Sequence, residues 1–156
     1  MERFPVRSFH AINGKAQEAT EECERYSTLL REHPVDIVCL GIGENTHIAF
    51  NDPGEADFWD DKLVKVVTLD ERCREQQVHD ECFPSLDEVP KYALTLTVPT
   101  LMRAEAMFCI VPGSTKAEAV RLVINEPVDF MRPASALRLH KHAFLFCDKD
   151  SGKDFC

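Results

Sequence analysis

The feature that most constrains this chain is a repeated unit: a short, almost continuous run of β-branched and apolar residues, a stop at glycine or a capping residue, then a polar or amphipathic helix pattern. Residues 35–40 (VDIVCL) form the first such run, and Gly41-Ile42-Gly43 ends it. A parallel strand buried on both faces reads this way when it reaches the loop at its carboxyl end. Ahead of it, residues 17–32 place Ala19, Cys23, Tyr26 and Leu30 at helical spacing, and the His33-Pro34 pair closes that helix.

The unit recurs. Residues 63–69 (LVKVVTL) read as strand, Asp70 as the N-cap of a polar helix ERCREQQV, and residues 92–98 (YALTLTV) as a strand of alternating pattern. Residues 106–111 (AMFCIV) form another buried strand, Pro112-Gly113-Ser114 turns it into the helix TKAEAVRLVI, and residues 143–147 (AFLFC) make a last strand. Such alternation predicts an α/β fold: a three-layer sandwich around a mostly parallel, Rossmann-like sheet. Residues 1–148 read as one domain, and 149–156 as a polar tail that frays. The longest irregular stretches, 41–62 and 80–90, are where a compact domain keeps functional loops.

Of 156 residues, 44% are apolar, enough for one hydrophobic core. The formal net charge is -9 and the basic residues are scattered, so nucleic acid is not an expected partner. Seven cysteines, odd in number and without a C-x-x-C pair, read as reduced core thiols of a cytoplasmic protein. No apolar stretch is long enough to cross a bilayer, and MERFPVRSFH lacks the apolar run of a secretory signal.

The segment GIGENTHIAFNDP, residues 41–53, concentrates glycines, short polar residues, a histidine and a carboxylate just past a buried strand. Open α/β sheets bind ligands at that edge. His47 can exchange protons near neutral pH, and Asp52 can fold back to hold one ring nitrogen. The alternative is a histidine that bonds loop backbone and an Asp-Pro that starts a turn. At residues 112–116 (PGSTK) a strand gives way to a helix, so N–H groups and Lys116 suit a phosphate, although a solvated lysine at a helix start is also common. Arg72, Glu75 and Gln76 fall on neighbouring helical turns, and most of them read as a solvated helix face. His140 and His142 read as loop residues, and no Cys/His spacing indicates a structural metal.

In order, GIGENTHIAFNDP, PKYALTLTVPTLMRAE, PGSTKAEAV and LRLHKHAFLFCD resemble the successive motifs of the glucosamine-6-phosphate deaminase/isomerase family, whose fold is shared with 6-phosphogluconolactonases. The likeness covers most of residues 35–148, and HIAFNDP favours the deaminase side. The resemblance implies that an amino-sugar 6-phosphate is converted to fructose 6-phosphate and ammonia without a cofactor or metal. It assigns ring-opening acid/base work to His47, with Asp52 (usually Glu in the family) and Asn45 (a family Asp) orienting it. Substrate and phosphate fall to Lys116, Gly113, Ser114 and Gly43. Thr46 stands where the family usually has glycine, and Gln77 falls near a position where many members carry a substrate-binding arginine.

Family members also begin with a Gly-rich phosphate loop and an Asp-containing segment that supplies the base for proton transfer between C2 and C1. Neither is found here, so the resemblance covers the family's C-terminal part, Met1 reads as a late start, and the sheet is truncated on its N-terminal side. An exposed edge or apolar face is then expected, which a partner chain, such as a second copy in a homo-oligomer, could cover. Besides the deaminase reading, two others are open: a non-catalytic sugar-phosphate-binding or remnant protein, and a lactonase-like hydrolase, which needs no proton transfer at C2.

Overall fold

The computed structural model describes residues 6–155, so Met1 and Cys156 lie outside the described residues. Helix α1 (Ala19–Glu32) precedes strand β1 (Ile37–Leu40). Strand β2 (Val64–Thr68), helix α2 (Glu71–His79) and strand β3 (Tyr92–Leu96) follow the long loop after β1. A one-turn helix α3 (Val98–Leu101), strand β4 (Ala106–Val111), helix α4 (Ala117–Asn125) and strand β5 (Ala143–Cys147) complete the chain.

The main sheet is parallel, in the order β1-β4-β5. One of its faces is core: Met107, Cys109 and Val111 of β4 are buried against Ala119, Val120 and Val123 of α4 and against Ala134, Ala136 and Leu137 of the turn before β5. Fully burying a Met- or Val-sized side chain contributes roughly 1.5–3 kcal/mol. The other face carries Phe108, Ile110, Phe144 and Phe146; Phe108 stacks on Phe144 at 5.4 Å, and Ile110 and Phe146 are each about half exposed. This face is therefore partly open among the described residues.

The expectation for residues 63–98 needs correcting. Strands β2 and β3 form their own antiparallel ribbon, Val64 opposite Leu96, separate from the parallel sheet. Alternation of apolar residues marks a strand without fixing its direction, and α1 covers this ribbon through Cys23, Tyr26 and Leu30. Strand β3 also stops earlier than expected, because Thr97 caps α3 and Pro99 stands in its first turn.

Two surface expectations also change. Cys39, Cys82 and Cys147 are exposed, whereas Cys23, Cys73 and Cys109 are buried thiols as expected. The segment after β5 is tied down at its start, through Asp148 and Ser151. The Asp148 carboxylate accepts from the N–H and Oγ of Ser151, which is buried, and from the N–H of Gly113. No helix among the described residues is long and apolar enough to cross a membrane.

Candidate active site

The parallel register sets the place of the site. Leu40 lies opposite Cys109, so the loop after β1 and the turn after β4 leave the sheet at the same carboxyl edge. Between them lies a cavity of about 350 Å³, lined by Gly43 and His47 from the first loop, Lys116 from the second, and Gln76 and Asp80 from the end of α2.

His47 is held from behind. Its Nδ1 lies 2.7 Å from Asn45 Oδ1 and 3.1 Å from Asp52 Oδ1, and its backbone N–H also donates to Asn45 Oδ1. Two acceptors at Nδ1 place the proton there, which leaves Nε2 as the nitrogen able to exchange a proton with a ligand. Asp52 is fully buried. Burial alone pushes its carboxyl up, yet hydrogen bonds from His47, Asn45 and the Asp70 N–H outweigh burial and hold it below the ordinary carboxylate range. The sequence pairing of His47 with Asp52 and Asn45 is thus the geometry observed.

Gly43, expected among the substrate- and phosphate-binding residues, lines the cavity. Its N–H donates to the His47 carbonyl at 2.9 Å, so it is not free for a phosphate. A Cβ on Gly43 would overlap the His47 imidazole. Only glycine lets the ring lie against the loop. Thr46 keeps the backbone that a glycine would take, with φ of +72°, and its buried Oγ1 has no partner among the described residues.

Lys116, expected to meet a phosphate, lines the same cavity. Its Nζ is buried without a hydrogen-bond partner among the described residues, and burial lowers its affinity for a proton, opposed by the carboxylates of Asp80 and Glu44. Gly113 and Ser114 do not line the cavity. The Gly113 N–H donates to Asp148 Oδ2 at 2.9 Å, because β5 runs beside β4 and delivers Asp148 to that turn.

Two readings of α2 also change. Gln76, taken for a solvated residue, is buried; its Oε1 accepts from the Glu44 N–H and its Nε2 donates to Asp80 Oδ2. Gln77 is not among the residues that line the His47 cavity; it lines a separate, mostly apolar hollow of about 500 Å³ with Phe50, Leu69 and Tyr92. Asn51 is a further residue that sequence reasoning missed: buried, it donates to Ile48 O and Leu96 O and ties the loop to β3.

Asp52, His47 and Cys73 bring a carboxylate oxygen, a ring nitrogen and a sulfur within 4.8 Å of one another. Burial, followed by the charge of Asp52, pushes the Cys73 thiol far above its ordinary range, so it meets the pair as a neutral thiol.

A family model described as glucosamine-6-phosphate isomerases/6-phosphogluconolactonase matches residues 1–146. The chain belongs to this family. Within it, the chain is 37% identical over 139 residues to the glucosamine-6-phosphate deaminase of Listeria welshimeri, covering 89% of this chain and 57% of that protein. Glucosamine-6-phosphate deaminase 1 of Bacillus subtilis is 39% identical over 148 residues, covering 94% of this chain and 59% of its own length. The chain therefore spans less than two thirds of these curated relatives. Among solved structures, a monomeric glucosamine-6-phosphate deaminase superposes with a TM-score of 0.84 at 38% identity, over 91% of this chain and 57% of that one. The 6-phosphogluconolactonase of Trypanosoma brucei shares the fold, with a TM-score of 0.69 at 22% identity over 88% of this chain and 54% of its own.

Proposed function

We propose that this chain carries the ring-opening and phosphate-binding part of a glucosamine-6-phosphate deaminase site. The observation that carries the reading is that His47, with Nδ1 held by Asn45 and Asp52, and the buried, unpartnered Nζ of Lys116 line one cavity. A buried ammonium without a partner is unfavourable unless an anion meets it, and a sugar phosphate supplies that anion. With the phosphate on Lys116, Nε2 of His47 takes the proton of the anomeric hydroxyl and returns a proton to the ring oxygen as the C1–O5 bond breaks. The partner of the site is an amino-sugar 6-phosphate, and the phosphorylated substrate and the buried thiols of Cys23, Cys73 and Cys109 fit the cytoplasm.

The later proton transfer from C2 to C1, which precedes loss of ammonia, has no assigned base among the described residues. The test therefore measures three things on the purified chain: ammonia and fructose 6-phosphate released from glucosamine 6-phosphate, saturable binding of that ligand, and hydrolysis of 6-phosphogluconolactone. Turnover reduced on the order of 10²–10⁴-fold in His47→Ala supports the deaminase reading. Binding without turnover points to a sugar-phosphate-binding protein, and lactone hydrolysis alone to the hydrolase.

A further inference from the structure

Asp70 was expected only to cap α2, and one oxygen does so: Oδ1 accepts from the Cys73 N–H. The other oxygen has a separate task. Oδ2 accepts from Asn45 Nδ2 at 2.7 Å, while the second hydrogen of that NH2 goes to Asp52 Oδ1 at 3.0 Å. Two carboxylates can be met only by the donor end of an amide, so the Asn45 oxygen is turned to His47 Nδ1. With Asp52 alone, the Asn45 NH2 would keep one carboxylate partner, beside the contacts that its oxygen makes with the His47 N–H and Nδ1. Asp70 is the second anchor, and it is fixed to the start of a helix, where negative charge is favoured.

We propose that Asp70 is a positioning residue for His47: it supplies, one residue further out, the negative charge that Asn45 lacks, and delivers it to the ring through the Asn45 amide. Hydrogen bonds linked in series polarise one another in a buried environment, so the Asp70 carboxylate makes the Asn45 oxygen a stronger acceptor for the Nδ1 proton. Asn45 is buried, which keeps water from taking over either end of the relay.

The test reads the His47 Nδ1–H by NMR in protein carrying ¹⁵N-labelled histidine. The full chain is expected to give a downfield, slowly exchanging Nδ1 proton. Asp70→Ser and Asp70→Thr retain a capping oxygen for Cys73 and remove the oxygen that Asn45 uses. Both are expected to shift this resonance upfield and speed its exchange, with helix content unchanged. Glu71→Lys, an exposed change in the first turn of α2, weakens the helix start without touching Asn45 and should leave the resonance in place. An unmoved resonance in both Asp70 variants, or an equal shift in Glu71→Lys, overturns the proposal. The kinetic consequence rests on the ring-opening reading of His47: kcat falls on the order of tenfold in Asp70→Ser at unchanged KM. If the wild-type chain shows no turnover, that reading fails and the NMR result still decides the role of Asp70.

Discussion

The Asn45 side-chain oxygen sits 2.7 Å from His47 Nδ1, closer than the Asp52 carboxylate at 3.1 Å. A neutral amide therefore makes the shorter contact to the ring, and the buried carboxylate the longer one. Asp52 also accepts from Asn45 Nδ2 and from the Asp70 N–H, so it is the point where the loop after β1, the start of α2 and the histidine meet.

Asp52 should consequently make stability depend on acid. Its carboxyl titrates below its ordinary value in the folded chain, so its contribution is present above the unfolded value, near pH 4, and is lost as pH falls through the lower folded value. Urea midpoints measured from pH 6 down to pH 3 are expected to fall more steeply for the wild type than for Asp52→Asn. At pH 6 the variant is expected to be less stable by about 1–3 kcal/mol, because the donors around a buried carboxylate lose their charged partner. Parallel curves for the two proteins would remove Asp52 as the source.

Gly43 and Gly41 provide a matched pair of alanine substitutions. A Cβ at Gly41 meets Ile110 O at 3.5 Å, an ordinary contact, whereas at Gly43 it runs into the imidazole. Gly43→Ala is expected to displace His47, to cost about 1–3 kcal/mol in folding stability as an overpacked site does, and to remove His47-dependent turnover. Gly41→Ala should stay within about 0.5 kcal/mol of wild type. Denaturation curves of the two variants, run side by side, check the contrast.

Much of this site was legible in the sequence, and the residues that were not share a cause. The Asp70 cap and the pairing of His47 with Asp52 lie within a few positions of their partners, so local spacing reveals them. Gln76 holds the Glu44 N–H from 32 positions away, Asn51 reaches Leu96 across 45, and Asp148 takes the Gly113 N–H across 35. Such contacts arise from strand order and register, which leave no periodic mark on the chain. For the same reason β4 and β5 were recognisable as strands, while the antiparallel direction of β2 against β3 was not.

Thr46 carries a strain that one substitution should relieve. A β-branched residue at φ of +72° is strained by roughly 1–2 kcal/mol, and the buried Oγ1 is unpaired. Glycine removes both penalties and adds flexibility to the unfolded chain, so Thr46→Gly is expected to gain about 0.5–1 kcal/mol. A loss in chemical denaturation would instead mean that packing of the Thr46 methyl outweighs the strain.

Lys116 should show stability and binding moving in opposite directions. Its buried ammonium has no partner among the described residues, and burial is the largest influence on it, ahead of the opposing charges of Asp80 and Glu44. Because its folded proton affinity is lowered, the charged form strains the fold below the folded titration point, and raising the pH through that point relieves it. Lys116→Met keeps the stem that packs in the first turn and removes the charge, so its melting temperature in phosphate-free buffer is expected to exceed that of the wild type. Phosphate reverses the order: a bound anion stabilises only a chain that can pair with it. Inorganic phosphate or glucosamine 6-phosphate should raise the wild-type melting temperature, with roughly 10–100 times more ligand needed for the same shift in Lys116→Met, the loss of one charge-assisted hydrogen bond. An equal ligand shift in the variant at the same ligand concentration would place the anion elsewhere than on Lys116.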